Sequence, residues 1–206
     1  MEAMTDLIQE VNDLFLPFYP YVARQIAHAY GMQEGQALEV GPYAPGISIQ
    51  LASLCPELEI TVGDDFPGIL SYFREQIEAA SLAHRIQVRE VDKRNLPFGD
   101  DTLDLVYFRG ALFFWEEQER ILKEAYRVLK RGGVAVMGGG FGAEAPDALI
   151  NSHLPRSREL NRRLQKKVLS LEELEAILSR ASLAPHAFID HRHGLWVVLR
   201  KPPTPR

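Results

Sequence analysis

Residues 38–46 read Leu38-Glu39-Val40-Gly41-Pro42-Tyr43-Ala44-Pro45-Gly46. The apolar run Ala37 to Val40 has the length of a short buried strand and stops at Gly41. Ile47, Leu51 and Leu54 then recur at helical spacing. A strand, a glycine-containing turn and a helix thus follow one another. In open parallel sheets this junction binds ligands, because turn N–H groups and the helix N-terminus face outward. Glycine there lets a ligand approach the backbone with no Cβ in the way.

The same alternation continues downstream. Ile60 to Gly63 reads as a second strand, followed by a helix stripe at Ile69, Leu70, Phe73 and Ile77. Ile86 and Val88, with Val91 as a further member, suggest a third strand. Leu103 to Phe108, apolar except for Asp104, suggests a central fourth. Ile121, Leu122, Ala125 and Leu129 mark another helix, and Gly132-Gly133 turns the chain into a fifth strand, Val134 to Met137. Strands separated by helices imply a parallel sheet covered on both faces. Upstream, Leu7, Ile8, Val11, Leu14 and Phe15 form an amphipathic stripe interrupted by Pro17 and Pro20, and a second helix runs from Tyr21 toward Tyr30. Downstream, Ser170 with Glu173 is a capping box opening a helix through Leu171, Leu174, Ile177 and Leu178. Ala187 to Ile189 and Leu195 to Leu199, joined by the His191–Gly194 turn, then read as a hairpin. The expected fold is α/β: a doubly wound, Rossmann-like, seven-stranded sheet, mostly parallel, with an antiparallel C-terminal hairpin, N-terminal helices and a small helical cap.

Composition narrows the function classes. The chain has 206 residues, 46% hydrophobic and 25% charged, enough for one well-cored domain. Its net charge of -5 argues against a general nucleic-acid surface. Cys55 is the single cysteine, so no internal disulfide and no cysteine-based zinc site can form. No membrane-length apolar run is present, and acids in Met1 to Asp13 replace the basic flank of a signal peptide. The expected setting is cytoplasmic and reducing.

Two ligand classes compete for the first loop. Gly41 and Gly46 stand at the first and third positions of a dinucleotide fingerprint, with Tyr43 at the second. A tyrosine where a pyrophosphate must meet the backbone disfavours a nicotinamide cofactor. Asp64 follows Gly41 by 23 positions, at the end of the second strand, where a carboxylate can accept from both ribose hydroxyls. Asp65 is placed to cap the helix that starts at Pro67.

Val91-Asp92-Lys93-Arg94-Asn95-Leu96-Pro97-Phe98, the run Asp101 to Arg109, and Val128-Leu129-Lys130-Arg131-Gly132-Gly133 come next in order. This set resembles the class I S-adenosylmethionine-dependent methyltransferases, Methyltransf-11-like branch, over residues 37 to about 142. Arg131 stands where that family usually has proline. Arg109-Gly110-Ala111-Leu112-Phe113-Phe114-Trp115-Glu116 resembles a narrower group of microbial proteins classed as methyltransferases. The resemblance implies S-adenosylmethionine as cofactor and methyl transfer to a small-molecule acceptor. It places Glu39 and Gly41 at the amino-acid moiety, Asp64 at the ribose, Asp92 at the adenine with Phe66 and Lys93 beside it, and Arg109 and Gly110 at the sulfonium end. Tyr43 replaces a family glycine and Pro45 another. Tyr43 either closes over the methionine part or fills the site, which would leave a non-catalytic binding or regulatory module. No acid-base pair is evident, and transfer from a sulfonium needs a base only when the acceptor must lose a proton.

On this reading residues 1–206 form one domain: a helical cap at 1–36, a cofactor-binding core at 37–142, a lid insertion at 143–169, and the last helix and hairpin at 170–200. Trp115, Gly139 and Phe141 are substrate-side candidates. Phe113 and Phe114 are expected in the core. Gly138 to Gly140 serves either ligand approach or close strand packing. Arg109 orients an anionic acceptor, pairs with the cofactor carboxylate, or makes a structural ion pair. Arg156, Arg158, Arg162, Arg163, Lys166 and Lys167 read as a solvated basic face. His191 and His193 lack a third metal ligand.

Overall fold

Strand and helix alternate from residue 34 onward in the computed structural model, which describes residues 2–114 and 116–203. Before that come α1 (Glu2–Phe15), a single 3-10 turn at Leu16–Phe18, and α2 (Tyr19–Tyr30). The chain then runs β1 (Glu34–Val40), α3 (Gly46–Leu54), β2 (Glu57–Asp64), α4 (Pro67–Ala79), β3 (Ile86–Glu90), β4 (Leu103–Arg109) and the one-turn α5 (Ala111–Phe114). It continues through α6 (Gln118–Val128), β5 (Leu129–Gly140), α7 (Asp147–Arg163), α8 (Leu171–Arg180), β6 (Ala187–Asp190) and β7 (Gly194–Arg200).

The sheet has seven strands in the order β3-β2-β1-β4-β5-β7-β6. Pairing is parallel from β3 through β5, and β7 runs antiparallel to both its neighbours. Strand alternation sends β4's Leu105 and Tyr107 to one face, against α1 to α4, and Val106 and Phe108 to the other, against α6 and α8. The strand order reverses between β1 and β4, so the carboxyl ends of those two strands border the crevice where such sheets bind ligands. α1 and α7 cover that end together, joined by the Arg163–Glu10 ion pair at 2.6 Å.

Several boundaries differ from the sequence expectation. β1 begins at Glu34 because its first three residues are not buried and so carry no apolar signal. β2 likewise starts at Glu57, where exposed and buried residues alternate. Leu129, expected in the α6 stripe, is the first residue of β5 and pairs with Leu103. Leu54, also expected on a buried stripe, is exposed. Asp65 does not cap α4, whose N-cap is Phe66 without a side-chain bond; it pairs instead with Lys93. The capping box at Ser170 and Glu173 is present as expected.

Candidate functional site

Gly41 ends β1 with φ 63, a left-handed conformation that favours glycine, and its N–H donates to Gly63 O at 2.8 Å. The loop then enters α3 at Gly46. A Cβ on Gly46 would lie 2.2 Å from the Tyr19 ring, so this glycine is needed for packing α2 on α3. Fingerprint spacing therefore has a structural cause at Gly46 and a turn cause at Gly41.

Glu39 lies beneath this loop, fully buried on the same face as Tyr107. Ser48 Oγ donates to Glu39 Oε2 and shares a 2.7 Å hydrogen bond with Tyr107 Oη. Among the described residues Glu39 Oε1 has no hydrogen-bond partner. Burial pushes the Glu39 carboxyl up to about 8, with Ser48 and Arg109 acting against that rise. Arg109, at the end of β4, has a buried Nε without a hydrogen-bond partner among the described residues. Its guanidinium stacks on Phe15, 3.4 Å from the ring centre. Burial brings it down to about 10, opposed by Tyr19, Glu39 and Tyr43. Among the described residues Arg109 makes no ion pair, and the Phe15 ring is its stacking partner.

Two hollows meet at Arg109. The smaller, about 220 Å³, is lined by Gly41, Tyr43, Asp64, Phe66, Lys93, Arg109 and Gly110, among others. The larger, about 680 Å³, lies under α7 and reaches Gly139 and Phe141. Tyr43, Arg109, Gly110 and Phe114 line both. Tyr43 meets Phe114 edge-on, at 6.4 Å between ring centres and 87°. Asp64 projects from the end of β2, where its Oδ1 accepts the Phe66 N–H at 2.8 Å. Burial, first among several causes, raises its carboxyl to about 6. Phe66 is exposed at the rim.

Seven of the expected positions thus share one cleft wall. Asp92 is not on that wall: Arg94 Nε donates to its Oδ1 at 2.9 Å, and hydrogen bonds from Arg94 hold its carboxyl below the usual range. Trp115 lies outside the described residues. Phe113 is buried, as expected, but it and Phe114 also face the larger hollow. The glycine run is needed for close strand packing, and part of it borders the larger hollow. A Cβ on Gly138 would meet Leu195 O at 2.2 Å and one on Gly140 His193 O at 2.3 Å, while Gly139 and Gly140 line the hollow. The basic segment is only partly a solvated face, because Lys166 Nζ sits 4.2 Å from the Phe113 ring centre, inside the hollow. α1, expected as part of the helical cap, contributes Ile8 to the smaller hollow and Val11 and Phe15 to the larger, residues that the sequence marked only as members of an amphipathic stripe. The α1 stripe was legible, but nothing local says which strand ends it covers. Among the described residues no group of three or more His, Cys, Asp or Glu could hold a metal.

A family model described as "Methyltransferase domain" matches residues 38–137, from β1 into β5. The fold superimposes on a Methanococcus maripaludis protein described as a candidate S-adenosyl-L-methionine-dependent methyltransferase, with TM-score 0.81 and 29% identity, covering 99% of this chain and 94% of that one. Residues 38–137 thus match a methyltransferase domain, and the whole chain has the fold of the class I S-adenosylmethionine-dependent methyltransferases. S-adenosylmethionine is the cofactor that goes with that family. Among curated relatives, this chain is 26% identical over 144 residues to a ubiquinone/menaquinone biosynthesis C-methyltransferase of Geotalea daltonii, covering 63% of this chain and 61% of the relative. It is 31% identical over 134 residues to a phosphatidylethanolamine N-methyltransferase of Cereibacter sphaeroides, covering 65% and 64%. The chain therefore spans about three fifths of each of these two relatives, which by name methylate at carbon in one case and nitrogen in the other. No helix of the described residues is long and apolar enough to cross a membrane.

Proposed function

We propose that this protein transfers a methyl group from S-adenosylmethionine to a small-molecule acceptor, with the cofactor in the smaller hollow and the acceptor in the larger. The observation that carries this reading is the junction of the two hollows at Tyr43, Arg109, Gly110 and Phe114. Donor and acceptor must meet with little freedom for direct transfer, and two sites sharing one wall supply that. The cofactor, when bound, supplies an already activated methyl group on a sulfonium.

The chain's own residues suit that ligand. Asp64 would hold the ribose, since its Oδ1 already accepts a backbone N–H and its charged form predominates at neutral pH. Phe66, at the rim, would cover the base, with Lys93 beside it. Gly41 gives a turn that a ligand can approach closely. Tyr43 would lie over the methionine end. Asp92 would reach the base only by giving up Arg94. Apolar walls around the junction exclude water from the transfer.

Calorimetric titration with S-adenosylmethionine, its demethylated product and NAD tests the reading. We expect the first two to bind and NAD not to. Asp64→Ala should weaken binding about ten- to hundredfold, the worth of lost charge-assisted hydrogen bonds, and Asp65→Ala should not. The opposite pattern would move the ribose contact one residue along.

A second reading, binding without transfer, has one observation in its favour. The smaller hollow falls below the roughly 300–1,000 Å³ usual for ligand sites, at about 220 Å³ with Tyr43 in its wall. Radiolabel from the cofactor's methyl group appearing in no product, despite tight binding, would favour it.

A further inference from the structure

The larger hollow carries charge of one sign. Its wall includes Arg109, Arg158, Arg162, Lys166, Lys167 and His193, and among the described residues no Asp or Glu. Some of these basic groups are answered from outside the hollow. Arg162 pairs with Glu159 at 2.7 Å, Lys167 with Glu116 at 3.0 Å, and His193 faces Asp147 at 3.2 Å. Arg158 is exposed.

Arg109 and Lys166 differ from these. Among the described residues neither has an ion pair, and each lies on an aromatic ring, Phe15 and Phe113 respectively. Burial lowers the Lys166 amine, and Arg109 lowers it further, so the two positive charges feel each other. Two cations that the described residues leave without an ion pair, one with a buried Nε lacking a hydrogen bond among them, are costly unless an anion joins them. Lys166 borders only the larger hollow, so the cofactor's own carboxylate in the smaller one does not account for it. The remaining wall, including Val11, Phe141, Ile150, Leu154 and Leu160, fits a hydrocarbon body.

We propose that the acceptor is an apolar carboxylate or phenolate whose oxygens sit on Arg109 and Lys166. Calling this molecule the acceptor rests on the methyltransferase reading; the anion site stands without it.

Equilibrium binding of three probes of one shape to the full chain, without cofactor, tests the site: 2-naphthoate, 2-naphthamide and 2-naphthylmethylammonium. Naphthoate should bind about tenfold or more tightly than the amide, with the ammonium weakest. Lys166→Gln should cut naphthoate affinity about three- to tenfold and leave the amide unchanged. Arg109→Lys should retain part of the preference that Arg109→Gln loses. Lys166 is partly exposed, so its variant tests the site even if Arg109→Gln fails to fold. Equal binding of naphthoate and amide, no naphthoate binding at millimolar concentration, or a preference unmoved by Lys166→Gln would each overturn the proposal. So would loss of S-adenosylmethionine binding in Arg109→Gln with naphthoate binding intact. S-adenosylmethionine binding without the naphthoate preference removes this proposal alone. Naphthoate preference without S-adenosylmethionine binding removes the methyltransferase reading alone.

Discussion

Glu39 is neutral between about pH 4.5 and 8, where an exposed glutamate is charged. Burial raises it from 4.5 to about 8. Between those values the folded state holds a proton that the unfolded state has released, so this group's contribution to stability falls as pH rises across the window. The slope is at most about 1.4 kcal/mol per pH unit. Glu39→Gln keeps an acceptor for Ser48 and cannot titrate. We expect its urea midpoint to change less than that of wild type between pH 5 and pH 8; parallel profiles would mean that Glu39 is ionised in the fold. At this scale the sequence was legible in kind more than in contact. The β1–β4 register sets Glu39 beside Tyr107, and its depth is set by α3 and α2 packing above, neither of which a local pattern records. Asp64 ends β2 and Asp92 follows β3 by two residues, so the two looked alike, but only Asp92 has an arginine two positions on to engage it.

At the scale of elements, the α2–α3 contact depends on the missing side chain of Gly46. Tyr19 is buried, and its hydroxyl donates to Asn12 at 3.0 Å, so the ring has little room to withdraw. Gly46→Ala gains up to about 1 kcal/mol from backbone entropy but overpacks by roughly 1–3 kcal/mol. A net loss of about 1–2 kcal/mol should appear as a lower urea midpoint. Pairing the change with Tyr19→Ala should recover much of the overpacking; strictly additive losses would show that the ring is not the obstacle. Helix periodicity, the capping box and the glycine turns made most elements readable. What stayed hidden were strand ends outside the core, such as Glu34 to Gln36, where pairing with β2 rather than burial defines the strand.

At the scale of the molecule, a ligand that binds only the folded chain must stabilise it. S-adenosylmethionine at about 100 times its Kd should add about 2.7 kcal/mol, which for a domain of this size raises Tm by roughly 5–11 °C. No shift at millimolar ligand would count against this cofactor. Topology was legible at this scale because the alternation of strand and helix admits few arrangements, and the N-terminal helices were legible as a cap, but the contacts of α1 were not, being fixed by partners far along the chain. Its Glu10 pairs with Arg163 across 153 positions. The same remoteness governs β5 during synthesis. Its free edge is covered by β7, and sixty residues separate Gly140 from Arg200. At about 5–20 residues per second a ribosome needs some 3–12 s to deliver that partner. For that interval the nascent chain shows an apolar, unpaired strand edge to its surroundings, the usual starting point for cross-chain pairing. Gly138 to Gly140, at the end of that strand, weaken its tendency to pair with strangers as well as making room for β7. A bulkier triplet there would be expected to lower the yield of correctly folded protein from the ribosome before it changed anything in the finished one.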